Sequence, residues 1–143
     1  MDLGPDAVVL VMEQRNTIAN LGEKVRGALT RGGVIDITTV GRRSGRPRRV
    51  EIVFHNIDGS IYISGTPSPR RRSWLANLEA RPEFTFHLKG PVRADLPAKA
   101  RIIDDETERR QILPHIARTW RRNDVDTMVR YSPLIEVTVH GAA

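Results

Sequence analysis

Apolar positions recur along this chain with two periods, and the switch between them divides it. From Asp6 to about Leu29, the residues Val8, Val9, Val11, Met12, Ile18, Leu21, Val25 and Leu29 are spaced by mixtures of three and four. Glu13, Arg15, Glu23, Lys24 and Arg26 lie between them, so the segment predicts a helix. Asp6 is placed to cap its start, and Gly32-Gly33 ends it. From Val34 the period drops to two. Val34 to Val40 is a β-branched run with Asp36 inside it, and Val50, Ile52 and Phe54 alternate with Glu51, Val53 and His55. Asp58-Gly59 marks a hairpin, after which Ile61, Tyr62 and Ile63 form a third strand running into Ser64-Gly65.

Thr66 to Arg72 holds two prolines and reads as a loop, and Ser73 is placed to cap a short helix, Trp74 to Ala80, stopped by Arg81-Pro82. Phe84, Phe86 and Leu88 restore the two-residue period, and Val92 to Ile103 reads as a strand broken at Pro97. Asp104 and Asp105 open a helix whose apolar stripe is Ile112, Leu113, Ile116 and Trp120, with a kink expected at Pro114. A short helix near Asp124 to Arg130 and a last strand through Leu134, Ile135, Val137 and Val139 complete the chain. The succession predicts an α+β fold. About six mostly antiparallel strands close into a small barrel, with N-terminal, middle and late helices. The 143 residues suit a single domain, 1–143, with the helix over 6–29 packed on the barrel or on a partner subunit.

Charge changes the picture by where it sits. The formal net charge is +6, yet the segments 38–50 and 70–72 hold eight arginines and no acid, which leaves the remainder slightly acidic. Arginine outnumbers lysine twenty to three, so placement rather than number carries the argument. Local basicity of this kind points to a particular anionic partner. With no cysteine, disulfides, thiolate metal sites and cysteine nucleophiles are excluded. His55, His87, His115 and His140 are scattered singly, without metal-ligand spacing, and read as structural or surface residues. No apolar run reaches the roughly 20 residues of a membrane span, and the acidic start lacks a basic signal-peptide region. These features suggest a cytoplasmic protein. Aromatic content of 5% leaves few stacking platforms for nucleic acid.

The stretch Thr38-Thr39-Val40-Gly41-Arg42-Arg43-Ser44-Gly45-Arg46-Pro47-Arg48-Arg49-Val50 joins two strands through a basic, glycine-bearing loop. Its glycines permit a sharp turn with backbone N–H groups gathered into a nest, and arginine binds phosphate or carboxylate through paired hydrogen bonds. The loop reads as an anion site at the rim of a sheet, the bland alternative being a solvated hairpin tip. Arg70-Arg71-Arg72, in a second proline-bearing loop, favours the anion site and adds Arg70 to its candidates. Glu51 is expected to pair with Arg48 or Arg49 across the sheet. Trp120 and Tyr131 are expected between the late helix and the barrel, or at a substrate mouth.

Taken with Trp74-Leu75-Ala76-Asn77-Leu78 and Arg81-Pro82, this loop resembles the deazaflavin (coenzyme F-420)-dependent nitroreductase/quinone reductase family. The resemblance runs from about Val34 to Lys89. It implies a split β-barrel of the FMN-binding type, with a deazaflavin in a groove along it. Arg42, Arg43 and Arg48, with Ser44 and Gly45 in the same loop, match the basic site for the coenzyme's phosphate and acidic tail. Ser64, Gly65 and Thr66 match the strand end beside the ring system, and Trp74 and Asn77 the helix positions that close over the cofactor. The implied reaction is hydride delivery to a quinone, nitroaromatic or enone. Its proton would come from water or from a hydroxyl such as Ser64 or Tyr131. The chain departs from the family pattern at Glu51-Ile52, Pro67-Ser68 and Leu75, and Tyr131 alone remains of the late-helix tyrosines.

No Ser-His-Asp or paired-carboxylate arrangement is visible, which fits chemistry carried by a cofactor. FMN as the cofactor of the same fold, and a barrel that binds a ligand without turning it over, remain open alternatives. The consecutive apolar residues Val8 to Met12 would wrap a helix on more than one side, which predicts a homodimer.

Overall fold

The computed structural model describes residues 21–140. Only the last part of the expected N-terminal helix falls within them, as helix α1, Glu23–Arg31. Asp6 and the apolar run at 8–12 lie outside the described residues. Gly32, at φ 72°, ends α1, and the chain enters strand β1, Gly33–Val40. Strands β2, Pro47–Ile57, and β3, Ser60–Ser64, follow as hairpin partners. Helix α2, Ser73–Ala80, then leads to strands β4, Glu83–Leu88, and β5, Ala94–Ile102. Helices α3, Glu106–Thr119, and α4, Val125–Tyr131, precede strand β6, Leu134–Val139.

The strands form a closed barrel in the order β1-β2-β3-β6-β5-β4, antiparallel at every seam. Sequential hairpins account for β1-β2-β3 and for β4-β5. Closure comes from β1 against β4, from Ile35 opposite Leu88 to Thr38 opposite Thr85, and from β6 inserted between β3 and β5. The two-residue period sends Ile35, Ile37, Phe54, Ile63, Phe86 and Val137 into the interior, where Phe54 and Phe86 meet edge to face at 5.1 Å. A second apolar cluster joins Ile112, Leu113 and Ile116 of α3 and Met128 of α4 to Tyr62 and Leu134. Each such side chain contributes about 1.5–3 kcal/mol by leaving water.

Several local expectations are revised. Pro97 does not break β5: it sits opposite Thr85 in register, and its carbonyl accepts from His140 N at 2.8 Å. Pro114 lies inside α3 without ending it, and Asp105 caps that helix by accepting from Glu108 N at 2.9 Å. Ser73 is the first residue of α2, not its cap. Asp36, on the outer face of β1, accepts from Arg49 Nε at 2.9 Å and Lys89 Nζ at 2.7 Å. Those bonds, Lys89's first, hold its carboxyl below the usual range. Glu51 pairs with the same Lys89 of the loop after β4, and neither Arg48 nor Arg49 takes that place. Register sets this outcome, since Glu51 lies directly opposite Asp36 and one ammonium bridges both carboxylates.

Candidate functional site

Strand β1 ends at Val40, and the loop to β2 closes on itself through Gly41 N to Arg46 O and Gly45 N to Gly41 O, both 2.8 Å. Gly45 takes φ 69°, a conformation costly for a side-chain-bearing residue. Arg46 N donates to Ser44 Oγ at 3.1 Å, and Arg42 N to Asn77 Oδ1 at 3.0 Å. The loop's N–H groups at 41, 42, 45 and 46 are therefore bonded within the protein, so of the backbone nest expected from the glycines only the N–H groups of Arg43 and Ser44 stand beside the guanidinium groups to meet an anion.

Asn77 explains how the loop is held. This 3% exposed residue of α2 accepts from Arg42 N and from Arg42 Nη1, and its Nδ2 donates to Thr39 Oγ1 at 3.1 Å. Its amide thereby ties α2 to the end of β1. Arg43 and Arg48, both exposed, carry no carboxylate partner among the described residues. Together with Arg42 they border a groove of about 720 Å³.

The groove has an apolar side. Val50 and Ile52 of β2 line it while half-buried, and Trp74 of α2 lines it too. Its floor is the end of β3, Ser64 and Gly65. Ser64 Oγ is buried and donates to Pro133 O at 2.6 Å, which points its proton away from the groove. A Cβ at Gly65 would stand 2.9 Å from Arg72 Nη2, so the guanidinium lies flat where a side chain would otherwise project. Arg72 donates to Thr66 O at 2.6 Å and Thr66 Oγ1 at 3.2 Å, and burial lowers its pKa from the usual value.

Of the residues singled out in the sequence, Arg42, Arg43, Ser44, Arg48, Ser64, Gly65, Trp74 and Asn77 thus share one groove. Gly45 shapes its loop, and Thr66 anchors Arg72. Arg70 lies on a different cavity, beyond the 66–72 loop, and Arg72 borders both. Arg72, Val50 and Ile52 were not singled out. The two apolar residues carried a signal in the alternation of β2, whereas nothing local distinguishes Arg72 from its neighbours. Tyr131 is 44% exposed, so it is not packed between helix and barrel, while Trp120 meets His55 edge-on at 5.2 Å. Among the described residues, no group of three metal-ligating side chains converges, and no helix is long and apolar enough to cross a membrane.

A phosphorylated, planar cofactor with an acidic tail fits this groove on three counts. Arg42, Arg43 and Arg48 have no carboxylate partner among the described residues, Val50, Ile52 and Trp74 give it an apolar lining, and Gly65 lets the Arg72 guanidinium lie against the end of β3. Comparison with known proteins points the same way. A family described as F420H(2)-dependent quinone reductase matches residues 10–140. A solved structure described as F420 reductase superposes with a TM-score of 0.65 at 16% identity, covering 85% of this chain and 97% of the other. A conserved hypothetical protein of Mycobacterium tuberculosis gives 0.60 at 15% identity over 85% of each chain. An F420-H2 dependent reductase gives 0.54 at 21% identity, over 73% of this chain and 93% of the other. Among curated proteins, none matches. At these identities the structural likenesses establish the split-barrel fold.

Proposed function

Because the chain belongs to the F420H(2)-dependent quinone reductase family of oxidoreductases, which use coenzyme F420, we propose a reaction in which coenzyme held in the groove reduces a quinone, nitroaromatic or enone acceptor bound next to it. When bound, the reduced coenzyme supplies a hydride. The observation that carries this reading is the junction, in one groove, of three guanidinium groups without a carboxylate partner among the described residues and the apolar lining of Val50, Ile52 and Trp74.

In this reading Arg42, Arg43 and Arg48 hold the phosphate and acidic tail by charge-assisted hydrogen bonds. Asn77 positions Arg42 by fixing its backbone and guanidinium together. Trp74, Val50 and Ile52 exclude water from the ring, and Gly65 makes room for the Arg72 guanidinium at the end of β3. Arg72 presents a positive charge at that floor, balanced only by neutral oxygens. With Ser64 bonded to Pro133, the proton that completes reduction of a quinone to its hydroquinone comes from solvent. The proposal also takes the intact chain to be a homodimer.

Fluorescence-quenching titrations with coenzyme F420 and with FMN test the cofactor. Tighter binding of the deazaflavin is expected, and equal or tighter FMN binding overturns the assignment. Arg48→Ala should weaken coenzyme binding by about 1.5–3 kcal/mol, as expected for a lost charge-assisted bond. Its thermal midpoint should hardly move, because an exposed arginine contributes little to folding. Loss of reduced-coenzyme absorbance on adding a quinone then reports turnover.

A further inference from the structure

Beyond the 66–72 loop lies a second cavity of about 850 Å³, walled by that loop, α3, α4 and the start of β6. Charge on its walls is unbalanced. Arg110 engages both Glu106 and Asp126, and Arg71 turns to Glu79. Arg109 is buried and donates only to backbone carbonyls. Arg72 likewise meets only the neutral oxygens of Thr66. Arg70 and Arg130 have no ion pair among the described residues. Arg110 balances only one of its two carboxylates, so that surplus charge and Asp104 are set against the four arginines 70, 72, 109 and 130. So much like charge around a concave surface favours an anion strongly.

The cavity also offers a flat apolar surface. Tyr131 is one of two large hydrophobic residues among the described residues left exposed, and Arg130 lies over its ring at 6.0 Å. Leu75, Pro69 and Pro133 stand nearby on the same walls. Ser68 N donates to Tyr131 O at 3.3 Å, which ties the arginine-bearing loop to the end of α4. Guanidinium groups beside an exposed aromatic ring match a planar aromatic ligand with an acidic substituent.

We propose that this cavity binds a planar aromatic acid, its carboxylate, sulfonate or phosphate held between Arg70 and Arg130 and its ring against Tyr131. Arg72 borders both this cavity and the groove. The ligand is accordingly the acceptor itself, an anionic aromatic compound, a step that rests on the proposed function.

Calorimetric titration of the intact protein with 2-naphthalenesulfonate, and with 2-naphthol as the neutral control, tests the site. The sulfonate should bind at least tenfold more tightly than the naphthol, roughly the effect of one charge-assisted bond. Arg70→Ala and Arg130→Ala should each weaken it by about tenfold with the thermal midpoint unchanged, and Arg48→Ala should leave it intact. Unchanged affinity in both cavity variants, or a loss confined to Arg48→Ala, overturns the proposal. Turnover separates the two readings. With 1,2-naphthoquinone-4-sulfonate, Arg130→Ala should raise KM and leave KM for 1,2-naphthoquinone as it was. Sulfonate binding without oxidation of the bound reduced coenzyme by either quinone leaves the cavity standing and sinks the reductase reading. Oxidation by the neutral quinone, with no sulfonate effect in any variant, does the reverse.

Discussion

His55 shows how much one side chain can decide. It lies on β2, 7% exposed, edge-on to Trp120, with Nε2 lacking a hydrogen-bond partner among the described residues. Burial pushes its pKa down to about 4 from 6.5. The unfolded chain therefore takes up this proton near pH 6.5 and the folded protein only near pH 4. Stability from the neutral ring is full above pH 6.5 and falls away as pH drops towards 4. The total is about 3 kcal/mol at 1.36 kcal/mol per unit. His55→Phe keeps an aromatic edge for Trp120 and removes the titration. Denaturation of both proteins at pH 7.5 and pH 4.5 should show the wild type losing more stability than the variant. Equal losses would mean that carboxylates alone set the acid sensitivity.

At the scale of elements, the late helices are fastened by a buried arginine. Arg109 of α3 donates to Val129 O at 2.8 Å, Met128 O at 3.2 Å and Ile103 O at 2.9 Å, and also to Ser132 O. One planar fork thus closes the carbonyl end of α4 and ties both helices to the end of β5. Removing it leaves several buried acceptors without donors, each costing about 1–3 kcal/mol. Arg109→Met should lower unfolding free energy by about 3 kcal/mol or more in a urea titration. Arg109→Lys should recover only part, because an ammonium cannot reproduce the fan of bonds. A loss under about 1 kcal/mol for the methionine variant would show that water replaces the guanidinium without penalty.

At the scale of the molecule, six strands close into a barrel and leave little free edge, chiefly residues 47–53 of β2 beyond its pairing with β3, so an extensive dimer needs a further surface. The consecutive apolar residues at 8–12 supply the sequence argument for that surface and for a homodimer. Light scattering on the intact chain, and on one beginning at Gly32, should show a dimer that falls to monomer on truncation. A monomer at micromolar concentration for the intact chain overturns the expectation.

The sequence by itself determined the elements and much of the groove, because burial on a strand or helix repeats with a local period. Alternation through Val50, Ile52 and Phe54 places those residues on one face of β2, whatever β2 pairs with. The basic loop and the Trp74–Asn77 helix were legible because a tight turn, and the anion site proposed there, need particular residue types close together in the chain. Tertiary structure alone decided the rest. Insertion of β6 between β3 and β5 depends on where α3 and α4 pack. Lys89 becomes the partner of Glu51 through closure of β1 on β4, which joins residues 38 positions apart. Among three consecutive arginines, Arg72 borders the groove and Arg70 does not, because the path of one irregular loop aims them differently. An irregular loop has no period, so its side-chain directions are settled only by what the chain packs against.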